Sequence, residues 1–198
     1  MEPKDIKEVL KDKNTRIYLA FILGTEAAGG IVGWFIRDGV KVFQQLPQSP
    51  LTPPPVVFPI AWTILYGLMG YGAARVYMED CDPPGQNTEP ILLTNNLHGA
   101  PNSHGELTPQ KICKNQRRKA LCLYFVQLAV NLLWSPIFFN LRAFGLAFLW
   151  ILLLWVLILF LYADFKRIDK KAAYAQIPYI LWTTFAAYLT YATWMLNQ

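Results

Sequence analysis

Apolar residues gather in five stretches along this chain, with charge confined largely to the segments between them. The stretches lie at about residues 17–36, 56–77, 121–139, 143–163 and 172–196. A bilayer hydrocarbon core of about 30 Å takes roughly 20 helical residues to cross, and each stretch is close to or above that length. The pattern predicts an all-α integral membrane protein: one domain, a five-transmembrane-helix bundle. The fourth stretch contains GLAFLWILLLWVLILFLY, apolar on every face, and is expected to touch much lipid. The second, third and fifth mix Trp, Tyr, Gln, Asn and Pro into the apolar background. Such groups are costly in hydrocarbon unless they face protein or a cavity. These three spans are therefore expected to line the interior.

The connections differ in character. Residues 37–55 end in Ser-Pro-Leu-Thr-Pro-Pro-Pro, and the three consecutive prolines give a stiff entry to the second helix. Pro59 falls near that helix's first turn, where proline costs little. Residues 78–119 show no helical or strand period and are rich in Pro, Gly and Asn, so a long flexible loop is expected there, its KNQRRK end capping the third span. Cys81 and Cys113 bracket that loop and are placed to bridge it. Nothing else marks a disulfide scaffold, however, and free thiols are expected.

Charge adds sidedness. With five spans, the N-terminus and the second and fourth loops share one side, which holds fifteen of the 18 Lys and Arg residues; Arg37, Lys41 and Arg142 lie on the other. That asymmetry supports an odd number of spans. The rule that basic loops stay inside describes bacterial and endoplasmic-reticulum insertion and does not extend to a mitochondrial outer membrane. Although the net charge is +5 and the pI about 9.1, the basic residues sit at helix ends and form no aromatic-interleaved patch, so no nucleic-acid partner is expected. The first sixteen residues are charged and the apolar run after them is too long for a signal h-region, so the first helix is expected to be retained. The only histidines, His98 and His104, fall in the second loop, no zinc-ligand spacing exists, and GxSxG, HExxH, Walker A and GxGxxG are all absent. Hydrolytic and metal chemistry lack their usual parts.

Three constellations remain. Gln127, Asn131 and Trp134 share one face of the third span, where two amides offer donors and acceptors to a ligand or equally to a neighbouring helix. Phe58, Trp62, Tyr66 and Met69 form a stripe in the second span, and Pro178, Trp182, Phe185 and Leu189 in the fifth. Membrane tryptophans concentrate at interfaces, so the central depth of Trp62 and Trp182 suggests a hollow suited to a flat, mostly apolar ligand. Glu26 lies on one face of the first span with Gly29, Gly30 and Gly33, a small-residue surface that allows close helix approach. An intramembrane carboxylate is a candidate functional group, or else a protonated partner for a neighbouring helix.

The strings PPPVVFPIAWTILYGLMGYGAARVY, QLAVNLLWSPIFFNLRAFGLA and IPYILWTTFAAYLTYATWMLN resemble the translocator protein family, which comprises bacterial tryptophan-rich sensory proteins and the mitochondrial peripheral benzodiazepine receptor. The similarity spans about residues 29–77 and 120–197. It implies a five-helix bundle with a pocket beneath the first loop. It also implies ligands such as protoporphyrin, haem, sterols and benzodiazepine-type compounds, with no resident cofactor. Trp62 and Trp182 match the family's pocket tryptophans, which in bacterial members are tied to light-dependent porphyrin breakdown. Gln127 and Asn131 match polar pocket positions, and Phe58, Trp134, Phe138 and Ala186 fall on pocket-facing or adjacent ones; Tyr66 joins them through the stripe it shares with Trp62. Val42-Phe43 and Ser49-Pro50-Leu51 stand where many members carry Trp-Tyr and Lys-Pro-x-Trp, and no basic residue follows Tyr191, as the vertebrate sterol motif requires. The resulting expectation is a receptor or carrier-like binder of tetrapyrroles and other flat lipophiles, with porphyrin-degrading enzyme as the alternative. The long second loop favours a mitochondrial outer membrane over a bacterial one. A GxxxG serves homodimers and internal packing alike.

Overall fold

The computed structural model describes residues 12–81 and 109–198. Its long helices are α1 (Lys13–Phe43), α2 (Val57–Met78), α3 (Pro109–Ser135), α4 (Phe144–Ile168) and α6 (Ile177–Leu196); α3 runs on into a π-helical turn (Pro136–Asn140), and a short α5 (Lys170–Tyr174) precedes α6. The described residues form a bundle of five long helices with no strand. Four helices are long and apolar enough to cross a membrane by composition alone: α1, α2, α3 with its π-turn, and α4. The fifth, α6, has 20 residues, about 30 Å of helix, but is rich in threonine. Its polarity is absorbed locally. Thr183, Thr184, Thr190 and Thr193 each donate their hydroxyl to the carbonyl four residues back, at 2.7–2.8 Å, so each of these four hydroxyl protons is paired within the helix.

Two helices begin or end beyond the apolar stretches that announce them. Asp12 caps α1 by accepting from the Thr15 backbone N–H at 3.0 Å, and the helix continues to Phe43, seven residues beyond the expected end. The second loop is shorter than the sequence suggests, because Pro109–Lys119 is helical: QKICKNQRRK is made largely of good helix formers, so α3 projects past the apolar segment. The expectation of an irregular loop over 82–108 falls outside the described residues. Cys81 and Cys113 are joined in a disulfide, against the expectation of free thiols. The early start of α3 is the reason: it carries Cys113 to the end of α2, with the Cα atoms 5.7 Å apart.

The core follows from α4. Phe144, Ala147, Ile151, Leu154, Ile158, Leu161 and Phe165 are all buried, an unbroken alternation of three- and four-residue steps that makes one seam. Leu146, Leu149, Leu153 and Phe160 point outward. This seam packs against α3 and α6, and two indole hydrogen bonds flank it: Trp150 Nε1 to the Val130 carbonyl at 2.8 Å and Trp155 Nε1 to Thr184 Oγ1 at 2.9 Å. Meanwhile α1 lies against α2 and the π-turn, touching the rest of the bundle little. A space is left between them.

Candidate ligand cavity

That space is a cavity of about 360 Å³ walled by α1, α2, the junction of α3 with the π-turn and the C-terminal half of α6, with loop residues Gln48, Thr52, Pro53 and Pro55 at one end. Each wall has a local cause. On α1, Glu26, Gly29, Gly33, Ile36, Val40 and Phe43 recur at helical spacing and share one stripe. Gly29 is bare because the Tyr66 ring occupies the place a Cβ would take, whereas a Cβ on Gly30 or Gly33 would meet nothing within 4 Å. The glycines expected to bring helices together thus divide: Gly29 admits a ring, and Gly30 and Gly33 give the cavity a backbone wall. On α2, Phe58, Trp62 and Tyr66 follow one another along one face of the helix, with Trp62 stacked on Tyr66 at 5.3 Å between ring centroids. Pro136 cannot donate an α-helical hydrogen bond, and the chain responds with the π-turn, closed by the Leu141 N–H to the Pro136 carbonyl at 3.0 Å. That turn brings both Phe138 and Phe139 to the cavity, where Phe43 packs on each at 5.1 and 5.4 Å.

Six of the nine residues singled out from the sequence line this cavity: Phe58, Trp62, Tyr66, Trp134, Phe138 and Ala186. Gln127, Asn131 and Trp182 do not. The two amides are fully buried where α2, α3 and α6 meet. Tyr66 donates to Asn131 Oδ1 at 2.9 Å, Asn131 Nδ2 donates to the Tyr179 hydroxyl at 2.7 Å, and Tyr179 donates to Gln127 Oε1 at 3.2 Å. Two tyrosines take both ends of the Asn131 amide and the Gln127 oxygen, while Gln127 Nε2 is buried without a partner among the described residues, so what faces the ligand space is the Tyr66 ring that Asn131 holds. Trp182 packs edge-on against Phe58 at 6.0 Å and against Phe185 at 5.9 Å, outside the wall that Phe58 forms. Its indole N–H, like that of Trp134, is buried without a protein acceptor among the described residues.

Sequence reasoning passed over Phe43, Phe139, Thr190 and Thr193, all of which line the cavity. Signals existed for three of them: Thr190 and Thr193 follow Ala186 at spacings of four and seven and continue its face. For Phe139 the signal was Pro136 within an otherwise helical span. The mouth is tied down by Gln48 Nε2 donating to the Phe43 carbonyl at 3.1 Å and Asn197 Nδ2 donating to the Pro47 carbonyl at 3.0 Å.

Residues 21–195 match the TspO/MBR family. The chain belongs to that family. It is 29% identical to a translocator protein of Ovis aries over 172 residues, covering 86% of this chain and 84% of that one. It is also 29% identical to the protein CrtK of Rhodobacter capsulatus over 171 residues, 86% and 87% of the two chains. A tryptophan-rich protein TspO of Chlorobaculum tepidum matches at 29% over 186 residues, 90% and 95%. Similarity to these TspO/MBR relatives therefore takes in all five long helices.

Proposed function

We propose that this protein is a membrane receptor or carrier that takes flat lipophilic ligands, tetrapyrroles such as protoporphyrin and haem foremost and sterols and benzodiazepine-type compounds beside them, in the cavity between α1, α2, the π-turn and α6. One observation carries the reading: a mostly apolar hollow bounded by Phe58, Trp62, Tyr66, Trp134 and Phe138, with a minority of polar groups among its lining residues. Aromatic walls with sparse polar groups are the usual make-up of small-molecule sites, and the volume falls at the lower end of the roughly 300–1,000 Å³ such sites occupy. Protoporphyrin added to the purified protein raises its thermal unfolding midpoint, and Trp62→Ala abolishes the rise. A rise of equal size in the variant counts against the cavity.

Light-driven breakdown of bound porphyrin is a second reading, favoured by the stacking of Trp62 on Tyr66, whose hydroxyl already donates to Asn131. A photoexcited porphyrin would take one electron from Trp62, leaving an indole radical cation beside the Tyr66 ring, and dioxygen would be the oxidant that attacks the resulting porphyrin radical anion. Under illumination the protoporphyrin absorption band then decays faster with protein than in empty detergent, and Trp62→Phe removes the difference; equal decay in detergent alone rules the reading out.

A mitochondrial outer membrane is the proposed location. Insertion by the positive-inside pattern would put the basic face in the cytosol, where thiols stay reduced. The Cys81–Cys113 disulfide lies on that same face, which fits a membrane where the pattern does not govern.

A further inference from the structure

Glu26 has no place in the reading above, yet it lines the cavity at the end furthest from the loop. It stands eighteen residues before Gln44, about 27 Å along α1. Among the described residues that line the cavity, Glu26 is the only acid, and none is Lys, Arg or His. Its nearest basic neighbours in α1, Arg16 and Arg37, are ten and eleven residues away, about 15 Å or more along the axis. Across the interface Oε1 faces Gly67, where even a Cβ would stand 3.5 Å off, and the closest cation on α2, Arg75, is bound to Asp169 at 2.5 Å. The described residues of the cavity thus supply this carboxylate with no countercharge. Trp62 and Tyr66 present their rings to the same space, and aromatic faces attract cations. A carboxylate in a low-dielectric site gains most from an opposite charge brought to it.

We infer that Glu26 is the specificity-determining residue of the cavity and selects lipophiles that carry a single protonated amine, the ammonium going to Glu26 and the apolar body lying along Trp62 and Tyr66. The inference rests on the cavity being a ligand site. It has a converse: an anionic ligand group is turned away from Glu26 and toward Gln44, Gln48 and Thr52 at the loop end. A tetrapyrrole bearing carboxylates therefore enters ring first.

Three pyrenes of nearly equal shape test this in phosphatidylcholine nanodiscs at pH 7: 1-pyrenemethylamine, 1-pyrenemethanol and 1-pyrenecarboxylate. The wild-type protein binds the amine at least ten-fold more tightly than the alcohol, and the carboxylate more weakly than either. In Glu26→Gln the amine's advantage over the alcohol falls below about two-fold, and an unfolding midpoint close to that of the wild-type protein shows that the variant is folded. If the alcohol binds but the wild-type protein shows no preference for the amine, the inference is overturned and the cavity stands. It is overturned in the same way if Glu26→Gln keeps the preference. If none of the three binds, the cavity reading falls and this one with it.

Discussion

Asn131 uses both ends of its amide to hold two tyrosine hydroxyls inside the bundle, so its loss leaves the Tyr66 hydroxyl without its acceptor and Tyr179 with Gln127 alone. Asn131→Leu is expected to destabilise the protein by about 1–3 kcal/mol, seen as a lower unfolding midpoint; an unchanged midpoint would mean the network contributes nothing net. The two tryptophans should separate in the opposite sense to their shared description. Trp62→Ala removes cavity wall and lowers protoporphyrin affinity ten-fold or more, whereas Trp182→Ala removes only backing for Phe58 and lowers it less than three-fold, as a fluorescence titration can compare directly. Helical spacing made the Phe58–Trp62–Tyr66 stripe and the Gln127–Asn131–Trp134 face legible in the sequence. It did not tell which neighbour each face meets. Tyr179 and Tyr66 reach the amides first, and Phe58 stands between Trp182 and the cavity, facts of packing between helices that no single-helix period contains.

Among the elements, α1 is the one the cavity depends on, because its glycines decide where it touches α2 and where it stands away. Gly39 is closed off by the π-turn, where a Cβ would stand 2.7 Å from the Phe139 carbonyl oxygen, and Gly70 of α2 by the α1 backbone, where a Cβ would stand 2.7 Å from Ile22 Cα. Gly39→Ala is expected to lower the unfolding midpoint, since it must push backbone apart. Gly30→Ala meets open space and is expected to raise stability by about 0.5–1 kcal/mol through helix propensity alone; a loss there would mean that α1 packs more closely on its neighbours at this point. The long apolar helices were readable from composition and length, while the π-turn was not, because its cause is a single proline whose effect depends on whether the helix breaks, kinks or widens. The helical extension Pro109–Lys119 was hidden for a different reason. Its charges mark it as outside the bilayer, but being outside the bilayer does not make it irregular.

Across the whole molecule, α2 and its C-cap are joined to the rest on the basic face by three links among the described residues: the Cys81–Cys113 disulfide, the Arg75–Asp169 pair and Arg117 donating to the Glu79 carbonyl at 3.0 Å. Cys113→Ser is expected to cost about 2–4 kcal/mol through the loop of 32-residue separation, read as a fall in unfolding midpoint that a reducing agent reproduces in the wild-type protein and not in the variant. Burial alone would push the Asp169 carboxyl up, but hydrogen bonds and charge from Arg75 and the Lys171 and Ala172 backbone N–H groups outweigh it and hold the group below its ordinary value. A depressed carboxylate stabilises the fold above the ordinary value near 3.9, and that stabilisation is lost as pH falls through the lower, folded-state value. Asp169→Asn should therefore flatten the acid limb of the stability profile, and an acid limb of unchanged steepness would place the proton uptake elsewhere. These links matter to function because they fix α2 while α1 and α2 frame the hollow. Gly33→Leu is the most direct probe of that hollow: it leaves every aromatic wall in place and projects a side chain into space where a Cβ meets nothing within 4 Å. The expected outcome is a folded protein, its unfolding midpoint equal to or above that of wild type, with protoporphyrin affinity reduced at least ten-fold. A folded Gly33→Leu protein that binds protoporphyrin as tightly as wild type would contradict a ligand site in this hollow.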